Sequence, residues 1–178
     1  MNTIDNKMRL KLVLIFIPVA FFSMFFHELG HWIVGELLGN DMALKLNGAS
    51  PKSGHYVDSN HVLYITSGGP IFTIILTMIF WFVIEKHKIM YAYAVVFFSF
   101  LFRLFPQVLK FDFQDEAKVS VLLGIGKYTI PVIVLVLLFL ITWRAGRVLK
   151  LNYKDNLLFA VVSIVCMFLV VITDELLF

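Results

Sequence analysis

Charge is scarce in this chain. Only 15% of its 178 residues are Asp, Glu, Lys or Arg, against about 25% in soluble domains. No polar stretch is long enough to form a separate soluble domain. The net charge of +3 is small and dispersed, so it gives no footing for a nucleic-acid partner. Cysteine is scarcer still. Cys166 stands alone in an apolar run, which excludes an internal disulfide and any cysteine-ligated zinc site. Internal repeats and low-complexity segments are also lacking.

Apolar side chains are what the chain has in excess: 60% are hydrophobic, including nineteen Phe. They gather in five stretches, Leu12–Leu38, Val62–Ile84, Ile89–Leu109, Tyr128–Trp143 and Leu157–Ile172. A helix needs about 20 residues to cross ~30 Å of hydrocarbon. The first three are long enough; the last two must borrow from Val119–Gly126 and Thr173–Phe178. Backbone polar groups in lipid have to be satisfied within the segment, so each span is expected to be helical. The charged start (Lys7, Arg9, Lys11) followed by apolar sequence to Leu38 is too long for a signal-peptide core and reads as an uncleaved anchor.

The expected architecture is therefore an all-α, multi-pass integral membrane protein, with about five transmembrane helices in a single polytopic domain over residues 1–178. One connection differs from the rest. In Gly39–His61, Met42–Asn47 alternates apolar and polar residues and Asn47-Gly48 is a hairpin-type turn pair, which predicts a short β-hairpin at the membrane face. With five crossings, one side holds nine basic residues (Lys7, Arg9, Lys11, Lys86, Lys88, Arg144, Arg147, Lys150, Lys154) and the other five (Lys45, Lys52, Lys110, Lys118, Lys127). That bias places the N-terminus in the cytosol.

Within the first span, His27-Glu28-Leu29-Gly30-His31 matches H-E-x-x-H. Residues four apart lie one helical turn above each other, so both imidazoles can reach one metal ion. Glu28, next to the first ligand, can take a proton from an attacking water. With five His and five Glu among 178 residues, chance would give roughly 0.004 such matches. His27 lies about 22 Å into the span, where ionisable groups are costly unless they have a function or partners.

From this motif onward the chain resembles the site-2 protease family of intramembrane zinc metalloproteases. Ser67-Gly68-Gly69-Pro70, opening the second span, is similar to the family's small-Gly-Pro motif. Pro106 followed by Asp115 is similar to its Asn-x-x-Pro and Leu-Asp-Gly region. The resemblance covers residues 12–125, a catalytic core without PDZ or CBS domains; residues 126–178 would be additional transmembrane helices. The chain departs from the pattern at Arg103 and Thr73, where the family has Asn, and at Gln114-Asp115-Glu116, which replaces Leu-Asp-Gly.

The resemblance implies a zinc ion held by His27, His31 and an aspartate. Zinc hydrolases use three protein ligands and one open position, and Asp112, Asp115, Glu116, His55 and His61 are the candidates. Asp115 leads because Asp115–Val119 is similar to the family's ligand stretch; Asp112 is the alternative. Gly69, Pro70, Arg103 and Asp112 are the expected substrate-binding or supporting residues, with Arg103 either holding substrate backbone or paired with Asp112 or Glu116. Arg103–Gln114 is expected to re-enter as irregular backbone, broken at Pro106. The implied partners are a transmembrane protein or peptide substrate and the lipid bilayer. Substrate would unwind, and the Met42–Asn47 edge could pair with it. Two other classes fit the same motif: an inactive zinc-binding chaperone or receptor, and a small cation transporter.

Overall fold

A computed structural model describes residues 6–109 and 114–177. The elements are α1 (Asn6–Leu37), β1 (Met42–Lys45), β2 (Gly48–Pro51), α2 (His61–His87), α3 (Ala92–Leu109), α4 (Asp115–Leu122), α5 (Thr129–Val148) and α6 (Tyr153–Leu177). Five of the helices, all except α4, are long and apolar enough to cross a membrane. β1 and β2 form a two-stranded antiparallel hairpin.

Helix α3 is the centre. It packs against α1, α2, α5 and α6 and is buried along most of its length, from Ala92 to Phe102 almost without interruption. Its Tyr93 and Phe97 interlock with Phe16 of α1 and Phe159 of α6. The outer helices instead expose large apolar side chains such as Phe22, Ile79, Phe139 and Phe168, the pattern of helices solvated by lipid.

Ion pairs define one end of the bundle. Arg9 reaches Asp155 at 2.8 Å and Arg144 reaches Glu85 at 2.8 Å, joining the start of α1 to that of α6 and the end of α5 to that of α2. At the opposite end the hairpin tip is tied to α6, where the Asn47 backbone N–H donates to Asp174 Oδ1 at 3.2 Å.

Helices α1 and α2 meet at backbone distance. A Cβ on Gly30 would press on the Gly68 carbonyl, and one on Gly68 on the Gly30 carbonyl. Small residues allow such approach in membrane bundles. Gly68→Ala would gain about 1 kcal/mol of helix propensity. It would lose roughly 1–3 kcal/mol or more to overpacking against a backbone that cannot turn aside. The steric effect wins, so the variant should unfold at a lower temperature in detergent than the wild type; an unchanged midpoint would contradict the contact.

Several boundaries differ from the sequence expectation. The fourth span does not borrow Val119–Gly126: those residues belong to α4 and to a turn in which Gly124 and Gly126 take φ of +70° and +87°, a region that side chains resist. The turn is closed by the Ser120 hydroxyl, which donates to the Gly126 carbonyl and accepts from the Ile130 N–H. The last helix is longer at both ends, Tyr153–Leu177. Pro106 does not break α3, which stays helical to Leu109; of the expected irregular segment, residues 110–113 lie outside the described residues. The hairpin loop is Leu46-Asn47, with Gly48 already paired to Lys45, one position earlier than the Asn-Gly pair suggested.

Candidate metal centre

The helical repeat of α1 sets His27 and His31 on the face turned toward α2, both buried, with ring centroids 4.8 Å apart. Each ring is held through Nδ1. His31 Nδ1 lies 2.6 Å from the Ile65 carbonyl and 3.3 Å from the Gly69 N; the shorter contact, to a group that can only accept, favours the proton on Nδ1 and leaves Nε2 to face the other donors. His27 Nδ1 lies 2.9 Å from the Thr73 hydroxyl, which can accept in the same way. Phe102 closes on His27 edge-to-face at 5.4 Å. Outer partners of this kind fix the tautomer and orientation of metal-binding histidines.

Asp115 completes the group from 84 positions beyond His31. It opens α4 after an extended Gln114, a helix start that favours a carboxylate. Its Oδ2 is 3.1 Å from His27 Nε2 and 3.5 Å from His31 Nε2, and the two Nε2 atoms are 3.2 Å apart. The Arg103 guanidinium, with Nη1 3.5 Å from Oδ2, favours the ionised carboxylate. It therefore presents an anionic oxygen.

Three lone-pair atoms at this separation repel unless something positive lies among them. A proton can bridge one pair; a metal cation satisfies all three. Donors about 2.0–2.1 Å from a tetrahedral ion are separated by roughly 3.3 Å, and the observed separations of 3.1, 3.2 and 3.5 Å bracket that value. His27, His31 and Asp115 can hold a metal ion.

Arg103 is the cation that the chain itself brings here. Its Nη1 is 3.3 Å from Glu116 Oε1, 3.5 Å from Asp115 Oδ2 and 3.5 Å from His27 Nε2, and its guanidinium rests 4.3 Å from the Phe102 ring centroid. Arg103 Nε, Glu116 Oε2 and the Gln107 amide are buried without a partner among the described residues. A cavity of ≈190 Å³ between α2, α4 and α5 reaches Glu116, room for water to satisfy such groups.

Glu28 is half-buried, adjacent in sequence to His27, and within electrostatic reach of His31, Asp115 and Arg103. Among the described residues nothing hydrogen-bonds its carboxylate. On the side of α1 facing α3 and α6, an apolar cleft of ≈360 Å³ runs past Met24, Phe102, Pro106, Gln114 and Phe168 to the hairpin tip at Asn47. It meets the centre at Phe102 and Gln114.

The remaining candidates fall as follows. Gly69 lies directly under the two imidazoles; a Cβ there would collide with both, so close approach explains this glycine. Helix α2 runs unbroken through Pro70, which lines the cavity beside Glu116. Glu116 pairs with Arg103 and not with the imidazoles. His61 turns its Nδ1 to the Asn40 amide at 3.2 Å, and His55 is exposed in the loop before α2. Asp112 lies outside the described residues. Glu36 accepts the Met42 N–H at 2.8 Å, fixing the start of β1. The Thr73 contact was missed from sequence; its only signal was a hydroxyl one turn past Pro70 in an apolar helix.

Compared with family models, curated proteins and solved structures, the chain gives no match.

Proposed function

We propose that the chain is an intramembrane zinc metalloprotease that hydrolyses peptide bonds of membrane-spanning proteins within or near the bilayer. The observation that carries this reading is the convergence of His27 Nε2, His31 Nε2 and Asp115 Oδ2 at 3.1–3.5 Å, with Glu28 beside the first ligand. Two imidazoles and one carboxylate with a fourth position open form the donor set of zinc hydrolases. The order of motifs resembling site-2 proteases supports the same reading.

The charges agree with it. A divalent ion and Arg103 contribute three positive charges; Asp115, Glu116 and Glu28 contribute three negative ones. The loaded centre is neutral, as a low-dielectric site requires. Zinc supplies Lewis acidity toward a carbonyl oxygen and lowers the pKa of bound water. Thr73 and the Ile65 carbonyl keep the imidazoles aimed. Glu28 accepts the proton of the attacking water and returns it to the leaving amine. Arg103, held by Glu116 and 3.5 Å from His27 Nε2, can hold a carbonyl oxygen that develops negative charge beside the centre. The cleft beside Phe102 takes the apolar part of the substrate, and the hairpin edge pairs with its unwound segment.

Protein purified without chelators should contain about one zinc per chain and cleave at least one member of a panel of single-span substrates co-expressed with it. His31→Ala should lose the metal and the cleavage while still inserting into the membrane. Metal-free wild type would overturn the proposal.

A further inference from the structure

The bundle end remote from the metal centre carries a second constellation that hydrolysis does not use. The described arginines number four, and three are neutralised: Arg9 by Asp155, Arg103 by Glu116 and Arg144 by Glu85. Arg147 has no carboxylate partner among the described residues; its guanidinium sits 5.7 Å from the Trp143 ring centroid. Lys150 and Lys154 follow it in sequence, and the acids described at this end are already engaged, Asp155 by Arg9 and Glu85 by Arg144.

Arg147 stands at the mouth of a groove of ≈370 Å³ between α3, α5 and α6. Phe139, Trp143 and Arg147 recur every fourth residue along one face of α5, covering about 12 Å of helix axis. Phe97 and Phe100 of α3 face them across the groove. Its floor is therefore aromatic and its mouth cationic. Gly146 lets the Tyr93 ring lie against α5, since a Cβ there would meet the hydroxyl at 3.2 Å. Tyr93 donates to Asn156 Oδ1 at 2.9 Å, and the Asn156 NH₂ group has no acceptor among the described residues and can donate at the mouth. Trp143 and Tyr153 are 55% and 72% exposed, in the position of the aromatic belt at a membrane–water boundary.

We propose that this groove is a binding site for one anionic glycerophospholipid. Its phosphate is held by Arg147 and the Asn156 amide, and one acyl chain runs along Trp143, Phe139 and Phe100 toward the middle of the bilayer. A guanidinium with a free fork is suited to phosphate, and basic pockets between transmembrane helices take anionic headgroups. The occupant has to be polar at one end and apolar for about 12 Å beyond it, on a face turned to the bilayer; a lipid has that shape without unfolding. This site does not depend on the protease reading.

Delipidated protein in detergent tests it, by native mass spectrometry and thermal unfolding with phosphatidylglycerol or phosphatidylcholine of the same chains. Phosphatidylglycerol should be retained and raise the unfolding midpoint, and phosphatidylcholine should do so less. Arg147→Ala, an exposed change, should weaken phosphatidylglycerol retention roughly fivefold or more, the effect of about one interfacial cation. Lys86→Ala, which removes one charge from the same end away from the groove, should leave it nearly unchanged. Equal retention of both lipids by the wild type, or equal losses in the two variants, would overturn the site.

Discussion

Glu28→Gln should keep its zinc and lose cleavage by two or more orders of magnitude, within the 10²–10⁴-fold that a positioned general base contributes. At least 2.7 kcal/mol of barrier is at stake for a hundredfold. The replacement is close to isosteric, and its amide cannot accept the water proton. Nothing among the described residues hydrogen-bonds the Glu28 carboxylate, so the fold loses no contact and the unfolding midpoint should stay near that of the wild type. Both imidazoles keep their Thr73 and Ile65 partners, so the metal should stay. Three readouts taken together separate the cases. Full zinc with near-normal turnover would place the base elsewhere. Lost zinc would make Glu28 a structural element of the site. Full zinc with no turnover in either protein against any substrate would favour a metal-binding protein without protease activity.

Much of the architecture was legible because lipid leaves few options. Long apolar runs have to become helices, and each of the five expected apolar stretches lies largely within a helix. The histidine pair was legible because its spacing is local to one helix. What hydropathy could not register was how an apolar segment is divided. Val119–Leu123 is apolar enough to belong to a span, yet Gly124 and Gly126 at positive φ turn it into a separate short helix. Pro106 misled in the opposite direction: losing one hydrogen bond is tolerable in a helix packed among neighbours, and α3 packs against α1, α2, α5 and α6. The contacts that aim the imidazoles were hidden for a different reason. The partner of His31 is a main-chain carbonyl, which every residue has, and that of His27 is a threonine at a position where the resemblance pointed to asparagine. Depth was the remaining obstacle. Counting residues placed Asp115 beyond the apolar end of α3, whereas the extended Gln114 and the start of α4 return its carboxylate to His27.

That return brings Asp115 to the two imidazoles, and if it is the third ligand of the proposed centre, Asp115→Asn should strip both zinc and activity. The change keeps size but removes the only formal negative charge among the three donors. Two neutral imidazoles would then face a divalent ion with Arg103 3.5 Å from His27 Nε2, an arrangement that low dielectric penalises heavily. Loss of an outer partner typically lowers metal affinity 10–100-fold, and loss of a charged direct ligand should exceed that. The neighbouring acids serve as controls. Glu116→Gln leaves the donors intact but leaves buried Arg103 with Asp115 as its one carboxylate among the described residues, so the expected loss is in stability, up to about 3 kcal/mol, the lower figure for a broken buried pair, more than in zinc. Asp112→Asn should keep most of its zinc. Zinc titration by competition with a chromophoric chelator, read beside an unfolding midpoint, distinguishes all three variants. If Asp112→Asn empties the site while Asp115→Asn does not, the ligand is three residues earlier. If zinc survives both changes, the centre is not the one that His27, His31 and Asp115 define.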